Sequence, residues 1–373
     1  MKTLHVNLAD RRYPVIVGQG ILADAGRLLA RRGLDTPPVV ITNNKVLRLH
    51  GPVLLESLRR TLGGATVIRI GDGERYKNQS TLFKIYREMF RAHADRSSWI
   101  LAFGGGVVGD IAGFAAATYM RGIRFAMAPT TLLAQVDSSI GGKVGINVAQ
   151  GKNLIGAFYQ PAAVLADIGS LATLPQKELT TGIYEAIKCG AIRSEPLLRF
   201  IEQQLPAILR CRPSEMEHIV VEAARIKAAV VAEDEKEIGL RMILNYGHTV
   251  GHAFEAATNY RRFKHGEAVA WGMLAALAYG RQLGFLRETE SARLTRLIRR
   301  VGPLPSLKGI SCSRLWNAMA LDKKFNSGNI RMVFLPKLGA AEIRGSLDPC
   351  GLRRFLSEFL SANGGARHRS GRL

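Results

Sequence analysis

The sequence predicts an α/β protein in which a parallel-sheet domain precedes a mostly α-helical domain. In the first half of the chain, short β-branched runs alternate with helical segments, which is typical of a parallel sheet covered by helices on both faces. After about Ser170, helical periodicity broken at Gly and Pro replaces the strand-like runs. Because 373 residues are also too many for one hydrophobic core, we predict an N-terminal Rossmann-like domain over residues 1–168 and a helical domain over residues 169–363.

The predicted strands of the first half are short apolar runs. The N-terminal run alternates in polarity as a strand does, and it lacks the apolar block of a signal peptide. Helical periodicity fills the gaps and is clearest over residues 80–92, and a helix of small residues is predicted over 111–118. The strand-like runs are residues 1–8, 39–42, 65–70, 99–103 and 123–127.

Helical segments dominate the second half. The apolar run over residues 268–279 is shorter than the roughly 18 residues that a membrane helix needs, so we predict a buried core helix there. The last residues, 364–373, form a basic tail that we expect to be disordered. The predicted helical segments are residues 176–210, 214–234, 242–258, 266–283, 288–301 and 350–362.

The formal net charge of +22 is high for a globular protein. Clustered Arg and Lys would indicate nucleic-acid binding, because they neutralise phosphates. Here the basic residues are spread along the chain in pairs, so a basic surface that attracts anionic metabolites is the simpler interpretation. The four cysteines form no CxxC pair, which suits a reducing cytosol and argues against a cysteine-only metal site. We therefore expect a cytoplasmic protein without a specific nucleic-acid or membrane partner.

A glycine-rich loop follows the apolar strand that ends at Phe103. Gly104, Gly106 and Gly109 fit G-x-G-x-x-G in a strand-turn-helix setting. Glycine lets the backbone approach a pyrophosphate closely, and a helix N-terminus offers free N–H groups. However, at least two strands precede the loop, and no acid lies about 20 residues further on to hold a ribose. The loop therefore predicts a dinucleotide cradle of non-standard topology, with a tight structural turn as the alternative.

Three histidines form a candidate metal-binding set. His248 and His252 are four residues apart and so share one face of a helix, and His265 opens the next predicted helix. Catalytic zinc commonly has three protein ligands and keeps one position for substrate. Thr249 stands where H-E-x-x-H proteases have glutamate, which argues against a protease of that kind. Solvent-facing or capping histidines are the alternative interpretation.

A carboxylate is available to complete such a set. Glu185 is an acid within an otherwise apolar helical turn, and Lys188 lies one turn further on. An ion pair between these two residues on a helix surface is the alternative interpretation of this pattern. Spacing alone does not connect Glu185 with the histidines across the fold.

Several longer motifs occur in a fixed order and together resemble the 3-dehydroquinate synthase family. The resemblance covers nearly the whole chain, up to DKK at 322–324 and beyond. The motifs are GGGVVGD at 104–110, PTTLLAQVDSSIGGK at 129–143, GKNLIGAFYQP at 151–161, EAIK at 185–188, NYGHTVGH at 245–252 and HGEAV at 265–269.

The resemblance implies a set of functional residues. It implies that Glu185, His248 and His265 bind zinc or cobalt, while His252 lines the substrate site. Arg121 corresponds to a residue that reaches into the neighbouring subunit's site, which implies a homodimer. The other implied active-site positions are Asp137, Lys143, Lys152, Asn153, Lys188, Lys227, Glu237, Arg241, Asn245 and Lys324. The positions that match NAD binding are Asn43, Glu74, Lys77, Gly105, Gly106, Val107, Asp110, Thr130, Thr131, Lys143, Lys152, Thr173 and Glu178.

The resemblance also implies a reaction. Members of the family convert 3-deoxy-D-arabino-heptulosonate 7-phosphate into 3-dehydroquinate and phosphate, in the shikimate pathway to aromatic amino acids. The reaction proceeds by transient oxidation with NAD, phosphate elimination, re-reduction, ring opening and an intramolecular aldol step. A metal can polarise the oxidised hydroxyl, and Lys and Arg suit the phosphate and carboxylate of the substrate. His252 and Asp137 are candidates for proton relay.

Sister enzymes are the nearest alternatives. Other sugar-phosphate cyclases, such as 2-deoxy-scyllo-inosose synthase, share the fold, NAD and metal, but residues 137–143 follow the dehydroquinate pattern. Metal-dependent polyol dehydrogenases would lack the cationic set. Val144, Ile238 and Cys189 depart from the residues common in the family, and none of the three changes removes a charge or a metal ligand.

Overall fold

The computed structural model describes residues 1–9, 11–320 and 330–364, which form two compact units. The first unit contains Met1–Gly182 and Pro206–Glu237, and the second contains Ile183–Leu205 and the chain from Ile238 onward. The predicted division at residue 168 is a single cut, whereas the chain passes between the units three times. Lys324 and residues 365–373 lie outside the described residues.

The first unit is built on a mostly parallel sheet, as predicted. In its described part, β1 pairs antiparallel with β2, and the other neighbours in the order β1-β2-β9-β6-β5-β3-β4 are parallel. β7 and β8 form a separate antiparallel hairpin. The strands are β1 (Lys2–Asn7), β2 (Arg12–Gly18), β3 (Val39–Asn43), β4 (Thr66–Ile70), β5 (Trp99–Gly104), β6 (Arg124–Pro129), β7 (Lys143–Val148), β8 (Gly151–Phe158) and β9 (Val164–Asp167).

The second unit is mostly helical, also as predicted, with a small hairpin of β10 (Met332–Lys337) and β11 (Ala340–Arg344). No helix among the described residues is long and apolar enough to cross a membrane. The helices of the described chain are α1 (Ala25–Ala30), α2 (Asn44–Leu62), α3 (Gln79–Arg91), α4 (Gly106–Thr118), α5 (Gln176–Arg193), α6 (Glu195–Leu209), α7 (Pro213–Glu233), α8 (His248–Ala257), α9 (His265–Gln282), α10 (Glu288–Val301), α11 (Cys312–Ala320) and α12 (Pro349–Gly364).

Local chemistry explains where these elements begin. β3 and β5 are buried along their whole length, and both begin with continuous apolar runs, as parallel strands covered on both faces do. The side chain of Asn43 accepts from the Val46 N–H at 2.9 Å and caps α2. Asn78 accepts from the Thr81 N–H at 2.9 Å and caps α3 in the same way.

The predicted helix over 176–210 is wrong as a single element, because the chain breaks at Ser194. Pro196 lies in the first turn of α6, where a missing N–H costs nothing but the ring crowds the preceding turn. The Ser194 hydroxyl accepts from the Leu197 N–H at 3.3 Å, as a helix cap does. Proline and serine at this spacing were the sequence signal for two helices.

Two other predicted helices begin at residues different from those predicted. The segment over 242–258 starts as a 3-10 turn over 240–245, and α8 begins only at His248, because Gly247 adopts a left-handed φ of 78°. The small-residue helix predicted from Ile111 begins five residues earlier, at Gly106. The glycine loop is therefore a tighter turn than the sequence suggested.

Helices α8 and α9 approach each other so closely that their backbones touch. A Cβ added at Gly251 would lie 2.9 Å from the Ala268 carbonyl oxygen. A Cβ at Gly272 would overlap the Gly247 carbonyl oxygen outright. Glycine at these positions brings the beginning of α8 against α9, and the buried α9 confirms the core helix predicted over 268–279.

We expect Gly272→Ala to lower the stability of the protein by about 2 kcal/mol, because the added methyl group forces the two backbones apart. Gly280→Ala on the same helix is the matched control, since its Cβ would meet only a Phe334 ring carbon at 3.2 Å, and that ring can move. Urea denaturation of both variants measures the difference. Equal stability losses would show that the close approach is not a constraint.

Candidate metal and cofactor sites

The three predicted histidines lie together in the second unit. His248 is the first residue of α8, His252 is one turn further on, and His265 is the first residue of α9. Their ring centroids are 5.2 to 5.7 Å apart, and each offers a ring nitrogen within 4.8 Å of those of the others. The Lys264 N–H donates to the Glu267 carboxylate at 2.8 Å, which caps α9 and sets the place of His265.

The carboxylate of Glu185 faces two of these imidazoles. Glu185 lies on α5 and is completely buried. Its Oε1 is 3.6 Å from Nε2 of His248 and 3.6 Å from Nε2 of His265. These separations are too long for hydrogen bonds, and Oε1 has no hydrogen-bond partner within the described chain. Ligand atoms around a tetrahedral zinc ion are about 3.4 Å apart, so the separations fit a shared divalent ion.

The outer nitrogens of the same two imidazoles are already engaged. His265 Nδ1 lies 3.2 Å from Oε2 of Glu255, and His248 Nδ1 lies 3.2 Å from the Tyr246 carbonyl oxygen. When each Nδ1 carries the proton and donates it to these oxygens, each Nε2 presents a lone pair toward Glu185. Carboxylates and carbonyls behind metal-bound histidines usually have this role. The donor set therefore fits a divalent metal in charge, direction and spacing.

Glu255 is a functional residue that the sequence analysis missed. It is buried on α8, three residues after His252. An acid inside an apolar stretch, following a histidine pair by one turn, was the available signal. Its pairing with His265 depends on how α8 and α9 pack, which spacing does not reveal.

Lys188 neutralises the buried carboxylate. Its Nζ lies 2.5 Å from Oε2 of Glu185, and both side chains are almost completely buried. The Glu185–Lys188 ion pair, which the alternative interpretation placed on a helix surface, is therefore buried. In the core, either charge without the other would be costly. Arg241, which is 1% exposed, and Asn245 lie in the 3-10 turn that leads to α8 in this same unit.

The glycine loop of the first unit forms an open helix N-terminus. Gly104 ends β5, Gly105 occupies the cap position of α4 without a side chain, and Gly106 and Val107 form the first turn. A Cβ at Gly105 would lie 3.0 Å from the Thr131 side chain. The uncapped N–H groups and the absence of side chains suit a phosphate-bearing ligand.

The predicted threonines that follow β6 border this loop, and two further predicted NAD positions come after β9 in the chain. The Thr130 N–H donates to the Gly104 carbonyl at 3.0 Å, so Thr130 and Thr131 follow β6 beside the loop that follows β5. Thr173 ends a 3-10 turn after β9, and its hydroxyl lies 2.9 Å from His50 Nε2. Glu178 lies in the first turn of α5. The carboxyl ends of neighbouring parallel strands meet at one sheet edge, where such folds bind ligands.

A carboxylate that suits the hydroxyls of a ribose follows β4, where the sequence patterns did not predict it. Asn43 ends β3, the neighbour of β5, and its Nδ2 donates to Oδ1 of Asp72 at 3.3 Å. Asp72 lies two residues beyond β4. The expected acid was sought after the glycine loop, but β3 and β4 precede β5 in the chain. The order of strands in the sheet brings this acid to the end of β3, although it precedes the glycine loop in the chain. Sequence spacing alone does not reveal strand order.

Lys77 connects a predicted NAD position with a predicted substrate position. This buried lysine contacts both Asp110 Oδ2 and Asn153 Oδ1 through its Nζ. Burial raises the pKa of the Asp110 carboxyl, and the charge and hydrogen bond of Lys77 oppose that rise. Glu74, in the adjacent 3-10 turn, is exposed and accepts from Asn147 Nδ2 at 2.7 Å.

The remaining predicted residues of the first unit include two carboxylate-lysine pairs. Lys227 Nζ, on α7, lies 2.6 Å from Asp137 Oδ1, and Lys143, on β7, contacts Glu237. Lys152 and Asn153 are neighbours on β8. Arg121 lies in the 3-10 turn after α4.

We expect Glu255→Ala to weaken divalent-metal binding by about 10- to 100-fold, because His265 loses the acceptor that orients it. Titration with Zn²⁺ in competition with a chromogenic chelator measures the affinity without any turnover. Glu358→Ala, which removes an exposed carboxylate on α12, is the matched control. Wild-type affinity in Glu255→Ala would mean that other groups orient His265.

Comparison with known proteins identifies the family. Residues 67–181 match the family model described as 3-dehydroquinate synthase N-terminal, and residues 182–325 match the one described as 3-dehydroquinate synthase C-terminal. A 3-dehydroquinate synthase from Pelotomaculum thermopropionicum is 46% identical over 370 residues, covering 99% of each chain.

Solved structures of related cyclases share the fold. A 2-deoxy-scyllo-inosose synthase complexed with carbaglucose-6-phosphate, NAD⁺ and Co²⁺ has a TM-score of 0.86 at 26% identity, covering 96% of this chain and 100% of that one. A 2-epi-5-epi-valiolone synthase from Streptomyces hygroscopicus subsp. jinggangensis, with NAD⁺ and Zn²⁺ bound, has a TM-score of 0.84 at 25% identity, covering 95% and 99%. The two family models together span well over half of the sequence, and this chain therefore belongs to the 3-dehydroquinate synthase family.

Proposed function

We propose that this chain converts 3-deoxy-D-arabino-heptulosonate 7-phosphate into 3-dehydroquinate and phosphate, with NAD and a divalent metal as cofactors. The observation that carries the proposal is the buried Glu185 oxygen that faces two imidazole nitrogens at 3.6 Å without a hydrogen bond. The identity of 46% to a 3-dehydroquinate synthase supports this substrate over that of the cyclase at 26% identity.

We assign Glu185, His248 and His265 as the metal ligands and His252 to the substrate. When bound, the metal supplies a Lewis acid and NAD supplies a reversible hydride acceptor. The assignment is supported by the oxygens that occupy the Nδ1 atoms of His248 and His265 and leave both Nε2 atoms toward Glu185. Zinc and cobalt both suit one carboxylate and two imidazoles.

The cationic residues have the task of binding a phosphate and a carboxylate. In the first unit, Lys227 and Lys143 are each held by a carboxylate, which fixes their ammonium groups before an anion arrives. In the second unit, Lys188 and Arg241 are almost completely buried, so each charge acts in a weakly screened setting. Arginine can bind an oxyanion through two parallel hydrogen bonds, and lysine acts as a point charge.

Proton transfer belongs to His252 in this assignment, because an imidazole can accept and return a proton near neutral pH. Its ring lies 5.2 Å from that of His248 and 5.7 Å from that of His265, beside the proposed metal ligands. The departing phosphate can accept the proton released in the elimination, so that step needs no strong base from the protein.

The decisive assay measures phosphate release from 3-deoxy-D-arabino-heptulosonate 7-phosphate with catalytic NAD and Zn²⁺, while absorbance follows NADH. We expect 3-dehydroquinate, phosphate and no net NADH. His248→Ala should lose both metal and nearly all turnover, whereas His252→Ala should retain metal and lose turnover. Wild-type turnover in His248→Ala would refute the ligand assignment. No reaction in the folded, metal-loaded wild type would refute the substrate and favour another sugar-phosphate cyclase.

We also infer a cytoplasmic homodimer. No disulfide joins the four cysteines, all of which lie in the described part of the chain, and this supports a reducing compartment. An exposed aromatic patch supports self-association: Phe83 is 50% and Phe90 58% exposed, Phe83 packs against the partly buried Tyr86, and Phe90 packs against the buried Tyr119. Met120, which follows Tyr119, is 37% exposed. An apolar patch of this kind commonly marks a protein interface.

Arg121 adjoins the aromatic patch in a strained segment. Met120 and Arg121 have φ angles of 50° and 66°, a left-handed conformation that is unfavourable for side chains other than glycine. Strain of this kind persists where the surrounding structure or a function requires it. The position of this strained segment beside the aromatic patch supports a role for Arg121 across the dimer interface.

Mixed dimers test this role. Arg121→Ala and His248→Ala should each be inactive alone. Random reassembly of the two should restore about one quarter of wild-type activity, because half of the dimers are mixed and each contains one complete site. Light scattering and tagged purification verify the mixed species. No recovery in verified mixed dimers would contradict a site shared between subunits.

A further inference from the structure

Asn147 lies where the segment that contains Glu74 and Lys77 meets the β7–β8 hairpin. Its backbone N–H donates to the Lys77 carbonyl at 2.8 Å, and a β-bridge pairs it with Asn78. Its side-chain nitrogen donates to Oε1 of Glu74 at 2.7 Å. One residue of β7 is thereby bonded at several points to the segment that we assign to NAD.

The side-chain oxygen of Asn147 bonds to the other strand of the hairpin. It accepts from the backbone N–H of Asn153 at 2.9 Å. Asn153 has a left-handed φ of 56°, which an L-residue keeps only when other contacts hold it. The side chain of Asn153 in turn accepts from Lys77, which also contacts Asp110. Asp110 on α4, Lys77 and Asn153 on β8 therefore form a polar chain, and the amide of Asn147 is bonded to its β8 end.

The hairpin has an irregularity at this position. The pairing of β7 with β8 shifts register here: Ile146 pairs with Ile155 and Val148 pairs with Gly151, so Asn147 alone faces residues 152–154 of β8. The extra residues lie on β8, and irregular pairing of this kind leaves polar groups outside the ladder and recurs beside active sites. Asn147 thus directs its hydrogen bonds to residues 74–77 and 153.

We propose that Asn147 is a positioning residue that makes cofactor binding and substrate binding depend on each other. This inference rests on the proposed function, in which Glu74 and Lys77 bind NAD while Lys152 and Asn153 bind substrate. The nitrogen of Asn147 orients Glu74, and its oxygen holds the backbone of Asn153. Because both atoms belong to one planar amide, displacement of either partner is transmitted to the other.

The two hydrogen bonds can be separated by variants. Asn147→Ala removes both, and we expect the KM for NAD and the KM for substrate each to rise about tenfold. Asn147→Asp keeps an oxygen that accepts from the Asn153 N–H, so the KM for substrate should stay within about twofold of the wild-type value. Asn7→Ala, on exposed β1 of the same unit, is the matched control and should change neither KM.

A double-mutant cycle tests the connection to Glu74. The Kd for NAD is measured by calorimetry on purified, metal-loaded protein without substrate. Once Glu74→Ala is present, Asn147→Ala should weaken NAD binding little further, because the interaction through which it acts is already absent. Fully additive effects would overturn the proposal. So would an Asn147→Asp variant whose substrate KM rises as far as that of Asn147→Ala.

Failure of the proposed function and failure of this inference give different results. A wild-type protein that binds NAD but releases no phosphate would refute the proposed substrate, and the NAD cycle would still decide whether Asn147 acts through Glu74. Circular dichroism and thermal unfolding check that each variant is folded. Should the alanine variant fail to fold, the cycle is run with Asn147→Asp and Glu74→Gln, where additive effects again overturn the proposal.

Discussion

Complete burial of the Glu185 carboxylate is the constraint around which the second unit is organised. A charge without access to water must be paired, and Lys188 with two imidazole nitrogens supplies the neighbouring polar groups. Bringing these groups together requires α5, α8 and α9 to meet. Glycine at Gly251 and Gly272 permits this, because any Cβ there would meet backbone. The packing of α5, α8 and α9 therefore also sets the geometry of the candidate metal ligands.

The first unit presents backbone N–H groups and fixed charges that suit anions. Neighbouring parallel strands end at one edge, where the uncapped start of α4, the threonines after β6 and the Asn43–Asp72 pair succeed one another along the sheet order. The lysines nearby are held by carboxylates or amides before any ligand is bound. Such preorganisation reduces the cost of ordering the site when substrate binds.

Sequence patterns predicted five of the seven strands of the described sheet, including both edge strands, β1 and β4. Strands β3, β5 and β6 were predicted because buried parallel strands carry apolar runs. β2 was missed because Pro14 interrupts its pattern, and β9 because only four residues form it. The break between α5 and α6 was missed because helical periodicity continues across Ser194 when its capping role is ignored.

The sequence by itself determined the alternation of strands and helices in the first half, the glycine-rich loop, the residue types of a candidate metal site and, through its long motifs, the family. Each of those features depends on a contiguous segment of the chain, within which backbone preference and residue spacing are sufficient to predict it. Only the tertiary structure decided that Glu255 orients His265, that Asp72 stands beside Asn43, and that Asn147 joins residues 74–77 to residue 153. These contacts depend on sheet order, strand register and helix phase, which long-range packing sets and local pattern does not encode.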